Sequence, residues 1–293
     1  MGLLEGKVAI VTGAGGGLGR AHALLLASEG ASVVVNDLGG ARDGTGQSTS
    51  MADSVVDEIK AAGGSAVASY GSVTNDDDAA NMVKTAVASF GKLDILINNA
   101  GILRDRSFKN ITDAEWDAVI DVHLRGSYLA TKHAWQQMLE QGHGGRIIMT
   151  SSTSGLIGNF GQSNYGAAKA GVAGFMRVLA LEGMKYGITV NVLAPAALSR
   201  MTEDLMPESD ETAVRMAPEK VSPTVAWLCT DEAAKVTGRQ FGVSGNRVSL
   251  LSWTLDVIAQ KDSMEEPWSV AEIGEAMQAT MDSWPKLLKP MEV

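Results

Sequence analysis

Short runs rich in Val, Ile and Leu alternate along this chain with longer stretches whose apolar residues recur at helical spacing. KVAIVTG precedes a helix over Gly19 to Glu29, SVVVND one over about Met51 to Ala62, and SAVASY one over Ala79 to Phe90. This rhythm predicts βαβ units. It continues with DILINN (Asp94 to Asn99), a helix opened by the capping-box pattern Thr112-Asp113-Ala114-Glu115, and another near Leu124 to Glu140. RIIMTSS, a helix from about Asn164 to Tyr186, TVNVLAP and RQFGV follow. Seven apolar runs without polar alternation suit parallel strands buried on both faces. The expected fold class is therefore α/β: a single domain with a seven-stranded parallel sheet and helices on both faces.

Two segments break the rhythm. Gly39 to Ser50 (GGARDGTGQSTS) lengthens the loop after the second strand, and Leu251 to Val293 follows the last one. The tail holds Trp253, Trp268 and Trp284, half of the six tryptophans. Large aromatics are seldom left in water, so residues 251–293 are expected to pack on domain 1–250 or on a partner subunit.

Composition narrows the function. Of the 293 residues 45% are hydrophobic and 20% charged, the balance of a globular domain. The 24 Lys and Arg against 34 Asp and Glu leave a net charge of -10, which disfavours nucleic acid and anionic membrane as partners and favours a small-molecule substrate. The N-terminus lacks a basic, apolar leader and no run of about 18 apolar residues occurs, so a cytoplasmic protein is expected. Cys229 stands alone, and His22, His123, His133 and His143 lack metal-ligand spacing, so no metal is expected.

Directly after the first strand comes Thr12-Gly13-Ala14-Gly15-Gly16-Gly17-Leu18-Gly19 and then a helix. Glycines there let backbone N–H groups approach a pyrophosphate at a helix N-terminus. Asp37, at the end of the second strand, suits the hydroxyls of an adenosine ribose and opposes a 2′-phosphate. Gly16 offers such a phosphate no cation, although Arg42 lies in the loop beyond. Together these features predict a Rossmann-type dinucleotide site for NAD. Tyr165 and Lys169, four apart on a helix, share a face, and an ammonium beside a phenol is expected to pull its pKa below about 10. Ser152, at the end of RIIMTSS, can hold a substrate oxygen.

In this order the motifs resemble the short-chain dehydrogenase/reductase family from Gly6 to about Val248. The matching pieces are Thr12, Gly13, Gly17 and Gly19; Asn98-Asn99-Ala100-Gly101; Ser152; Tyr165 and Lys169; and Asn191 before Pro195. NDLGG, NNAGILRDRSF, VHLRGSY, GNFGQSNYGAAKAG and APxxxSRMT are similar, more narrowly, to the (3R)-hydroxyacyl-CoA dehydrogenase domains of multifunctional enzymes type 2, also called 17β-hydroxysteroid dehydrogenase type 4. The resemblance implies an NAD-dependent dehydrogenase with Tyr165 as general acid/base, Ser152 orienting the oxygen and Lys169 lowering the phenol's pKa. Gly13, Gly17, Leu18, Gly19, Asp37, Ser72, Val73, Asn99, Ala100, Gly101, Tyr165, Lys169 and Pro195 would then hold the cofactor. It also implies a homodimer or homotetramer. Three positions depart from the family pattern: His123 for a catalytic Asn, Ser72 for Asp and Ala196 for Gly. His123 reads equally as a proton relay or a packed helix histidine. The expected substrate is a (3R)-hydroxyacyl-CoA, whose phosphates could meet Arg104, Arg106 and Lys109. The alternatives are a 17β-hydroxysteroid or steroid side-chain hydroxyacyl-CoA and, in another class, a dinucleotide-binding module without catalysis.

Overall fold

The computed structural model describes residues 2–198, 209–261 and 266–285. Eight strands form one sheet in the order β3-β2-β1-β4-β5-β6-β7-β8. Its first half alternates β1 (Val8–Thr12), α1 (Gly17–Ser28), β2 (Ser32–Asn36), α2 (Ser50–Ala61), β3 (Ser65–Ser69), α3 (Asp76–Phe90) and β4 (Ile95–Asn98). After β4 come α4 (Asp113–Ile120), a π-helical turn (Asp121–Arg125), α5 (Gly126–Gln141), β5 (Gly145–Thr150), the short α6 (Thr153–Leu156), α7 (Ser163–Gly183) and β6 (Ile188–Ala196). The chain continues with α8 (Asp210–Arg215), α9 (Ser222–Leu228), β7 (Gln240–Ser244), β8 (Arg247–Leu251) and α10 (Val270–Thr280). Ser199, Arg200, Met201 and Thr202 of the APxxxSRMT motif lie outside the described residues.

Strands β1 to β7 are parallel, as their unbroken apolar character predicts. The pleat sends alternate residues to opposite faces. Ala9, Val11, Val33, Val35, Ile95 and Ile97 pack with Leu26, Val55, Ile59 and Val225 of α1, α2 and α9. Val8, Ile10, Val34, Leu96, Ile147 and Met149 pack with Met82, Leu129, Met138, Val172 and Met176 of α3, α5 and α7. The Thr112–Glu115 capping box forms at the start of α4 as expected.

The eighth strand is the difference from the expected seven. β8 runs antiparallel to β7 through the two-residue turn Gly245-Asn246, Gly245 taking the left-handed φ of +56° that such a turn requires. Its side chains alternate in exposure, as befits an edge strand open to solvent, and so it lacks the continuous apolar signature of the others.

The tail is less covered than its aromatics predict. Residues 252–260 have no regular structure, Trp253 is 70% exposed and Leu255 97%. Trp253 stacks on Arg177 of α7 at 5.2 Å, and its indole N–H donates to the Gln240 amide oxygen at 3.2 Å. Within one chain that is too small a platform to cover the extended segment.

α1 and α9 meet through a buried histidine, His22, whose Nδ1 lies 2.8 Å from Ser222 Oγ. Burial pushes His22 down to about 4. The unfolded chain, near 6.5, therefore takes up the proton first, so this contribution is complete above about pH 6.5 and is lost as pH falls toward 4. Its size is about 3 kcal/mol. His123 adds a loss of the same sign. Denaturant titrations between pH 7 and 4 should show a markedly shallower loss of stability for His22→Gln than for the unaltered chain; equal slopes would exclude this origin.

Candidate active site

The strand order changes direction between β1 and β4, and the carboxyl ends of those strands open the crevice in which open α/β sheets bind ligands. Gly13 turns with φ +63°, and a Cβ there would stand 2.8 Å from Ala100 Cα. One on Gly19 would stand 2.1 Å from the Gly13 carbonyl oxygen. Only glycine allows these segments to approach so closely, which leaves the N-terminus of α1 facing an open cleft.

That cleft is lined by Gly13, Gly17, Leu18, Gly19, Asp37, Ser72, Val73, Asn99, Ala100 and Gly101, which are gathered from the ends of four strands. Asp37 is fixed at its rim, accepting from Gly15 N and Gly39 N, each at 2.7 Å. Each oxygen keeps a further lone-pair direction for a hydroxyl. Arg42 lines the same wall. The Ser72 N–H is taken by Asp78 at 2.9 Å, so Ser72 offers the cleft its side chain and Val73 its backbone. Pro195 lies beyond, where β6 pairs with Val243 of β7.

Thr12 joins the two sides of the crevice. Its buried hydroxyl oxygen accepts from Asn99 N at 3.0 Å and Ala100 N at 3.1 Å, while the Asn99 amide donates back to the Thr12 and Gly13 carbonyls at 3.0 and 3.1 Å. The residues present fit a dinucleotide: close-approach glycines, a helix start opening on the cleft and one carboxylate, Asp37, lining the same cleft.

Ser152, Tyr165 and Lys169 meet beyond the ends of β5 and β6. Ser152 caps α6, its oxygen accepting from Ser154 N at 3.1 Å, and its hydroxyl stands close enough to the Tyr165 phenol to favour the phenolate. Lys169, 3% exposed, donates to the Thr150 carbonyl at 2.6 Å and lies 5.5 Å from the Tyr165 ring centre. The expected lowering of the phenol pKa is overturned in this structure. Burial, the largest influence, pushes Tyr165 up to about 12 against the opposing Ser152 hydrogen bond, and it pushes Lys169 down to about 7. Each group loses more hydration in forming its charge than its neighbour returns.

His123 sits in the π-helical turn, 1% exposed, with its ring edge-on to Tyr165 at 5.1 Å. Its Nε2 lies 2.7 Å from the Ile102 carbonyl oxygen and 3.1 Å from the Ile102 N–H. Burial, then the Lys169 ammonium, hold it well below its ordinary pKa. The ring is therefore neutral at neutral pH, and among the described residues Nδ1 has no partner.

Sequence reasoning passed over two polar side chains. Asn164, fully buried, donates to the Arg104 and Glu115 carbonyls at 3.0 and 3.2 Å and accepts from Tyr165 N at 2.7 Å. Gln162 bridges Ser154 and Asp105. Their signal was the polar run GQSN at the opening of an otherwise apolar helix. Of the expected basic island, Arg106 pairs with Glu115 at 3.0 Å, Arg104 donates to the Asp43 carbonyl at 3.0 Å, and Lys109 is exposed.

Fold and site together define an α/β oxidoreductase built on a dinucleotide cleft. Residues 7–211 match the short chain dehydrogenase family, and the chain belongs to it. It is 48% identical over 285 residues to the peroxisomal multifunctional enzyme type 2 of Mus musculus, covering 97% of this chain and 37% of that protein. It is 43% identical over 264 residues to the hydroxyacyl-CoA dehydrogenase ChsB1 of Mycobacterium tuberculosis, covering 85% and 80%. The crystal structure of a short chain dehydrogenase from Mycobacterium avium superposes with TM-score 0.84 at 47% identity, covering 100% of this chain and 99% of that one. Members of the family interconvert alcohols and ketones with a nicotinamide dinucleotide.

Proposed function

We propose that this enzyme is an NAD-dependent dehydrogenase of secondary alcohols, acting on (3R)-hydroxyacyl-CoA and related thioesters. The observation that carries the reading is the meeting of Ser152, Tyr165 and Lys169 beside a cleft whose rim carboxylate is Asp37. The dinucleotide supplies the hydride acceptor in oxidation and the hydride donor in reduction. Ser152 holds the substrate oxygen, and Tyr165 takes the hydroxyl proton in oxidation or returns it in reduction. Lys169, when it carries its proton, adds positive charge 5.5 Å from the phenol ring centre and so favours the anion. A (3R)-hydroxyacyl-CoA agrees with the likeness to a hydroxyacyl-CoA dehydrogenase and with Arg104, Arg106 and Lys109 on the loop after β4 of an acidic chain. We also read it as a homo-oligomer, because Leu255 and Val257 of the tail are 97% and 76% exposed in the single chain. The cytoplasm is the compartment we assign to it.

The Tyr165→Phe variant removes the titrating hydroxyl and keeps the ring. Its turnover should fall more than about 100-fold while NADH still binds, measured by absorbance and by fluorescence titration. Since Tyr165 stands high, alcohol oxidation by the unaltered enzyme should also quicken as pH rises above neutral. Retention of most turnover in Tyr165→Phe would overturn the proton path.

NADP should serve at least about 100-fold less well than NAD in kcat/KM, the consequence of placing a 2′-phosphate against Asp37. Equal use of both would overturn the assignment, and loss of NADP use in Arg42→Ala would then identify the cation responsible.

Replacing Arg104 and Arg106 with Ala should raise KM for an acyl-CoA at least about 10-fold more than for an uncharged alcohol, because only the former carries phosphates to lose. Equal effects on both substrates would favour a hydroxysteroid instead.

A further inference from the structure

Gln162 is 7% exposed, and its amide is enclosed by polar groups from three segments. Its Oε1 accepts from the Ser154 hydroxyl at 2.7 Å and from Asn159 Nδ2 at 3.1 Å. Its Nε2 donates to Asp105 Oδ2 at 2.7 Å. A carboxylate accepts only, so Asp105 dictates which end of the amide faces it, and the oxygen must then face Ser154. The backbone follows the same path. Arg106 N donates to the Gly161 carbonyl at 2.9 Å, and Gly166 N to the Gln162 carbonyl at 2.7 Å in the first turn of α7.

We propose that Gln162 is a positioning residue for Ser152: its amide ties Ser154, whose N–H anchors the Ser152 oxygen, to Asp105 on the loop after β4. The inference rests on the reading that Tyr165 and Ser152 perform the proton chemistry. Because Ser154 N donates to Ser152 Oγ, the Ser152 O–H is left to point toward the phenol and the substrate oxygen. Displacing Ser154 turns that hydroxyl away, and misplacement of a reacting group by about 1 Å costs up to about 100-fold in rate. Gln162 touches neither Tyr165 nor Ser152 in any hydrogen bond described, so it acts through its neighbours.

The charged and titratable groups around the amide are Asp105 and Arg106 on the loop after β4, Glu115 of α4 paired to Arg106, and Tyr165 and Lys169 of α7. Helix α6 contributes none. Gln162→Glu therefore sets a second carboxylate against Asp105. Such a pair releases its strain by sharing one proton, and the protonated Glu reproduces the amide's donor and acceptor.

The test follows turnover of Gln162→Glu from pH 9 to 5.5 beside the unaltered enzyme, with NADH affinity and Tm as folding checks. The variant should be about 10-fold or more slower at pH 8, and its ratio to the unaltered enzyme should rise toward one as pH falls. The double variant Asp105→Asn, Gln162→Glu, in which the Asn amide donates to the Glu carboxylate, should recover turnover across the range. A second, independent pair uses an exposed position: Asp105→Leu should lower kcat about 10-fold with KM for NAD unchanged, and Asp105→Asn should restore it. A pH-independent ratio for Gln162→Glu, or an Asp105→Leu variant as fast as the unaltered enzyme, overturns the proposal. Tyr165→Phe measured alongside separates the two readings: if it stays active the proton chemistry is wrong, whereas if it collapses and the Gln162 variants do not behave as stated, only the positioning role fails.

Discussion

The ammonium of Lys169 meets one described hydrogen-bond acceptor, the Thr150 carbonyl, in a place where the residue is 3% exposed. Taking a cation out of water costs several kcal/mol after relaxation, and one neutral carbonyl returns only part of it. The same exclusion of water acts on Tyr165 with the opposite sign, because there the charged form is the deprotonated one. The result is a phenol near 12 above an amine near 7, both closer to neutral than either would be in solution. A site held this way is poised to respond to charge: any cation that enters next to the phenol meets little screening and acts strongly on its proton. Hydrogen bonding from Ser152 is the influence already in place that works toward the phenolate.

Such a centre needs a rigid surround, and here it is built from polar side chains spent on backbone. Thr12 and Asn99 join the ends of β1 and β4, Asn164 joins the start of α7 to Arg104 and Glu115, and His123 holds Ile102. Asn191 makes the same kind of tie farther down the sheet, donating to the Val236 carbonyl and accepting from Arg239 N. Loops cannot bury their own N–H and C=O groups without partners. A short polar side chain on a neighbouring strand or helix end supplies one at fixed distance, so the crevice acquires shape from the strands beneath it.

The fold was legible because its determinants are local and periodic: β1 to β7 are apolar on both faces, and the helices between them keep helical spacing. β8 was not, because an edge strand with alternating exposure carries half the signal, although the Gly245-Asn246 pair was a hairpin cue in plain view. In the site, the gathering of the glycine turn with Asp37 and of Ser152 with Tyr165 and Lys169 could be read from spacing taken together with the strands and helices that carry the motifs and with their family resemblance. The pKa direction could not, since spacing reports that a cation is near and says nothing of how much water both groups lose. Gln162 and Asn164 were missed for a related reason. Polar residues at a helix opening are common as solvent-facing caps, and only tertiary contact turns them inward.

His123 illustrates how one residue type constrains its surroundings. The α-helical path widens into a π turn at Asp121–Arg125, a device that shifts the register of the side chains that follow it. It places an imidazole under Gly101, where a Cβ would stand 2.4 Å from its Cε1. Gly101 is thus required by the bulk of the ring beneath it. A neutral ring cannot use Nε2 as donor to the Ile102 carbonyl and acceptor from the Ile102 N–H at once, so one tautomer must prevail. The shorter contact, 2.7 Å to the carbonyl, favours the proton on Nε2 and leaves Nδ1 as a buried acceptor. Proton traffic through His123 would have to break its hold on Ile102 and charge a ring that burial keeps neutral. Bracing Tyr165 edge-on while clamping the loop that leads to Asp105 requires neither.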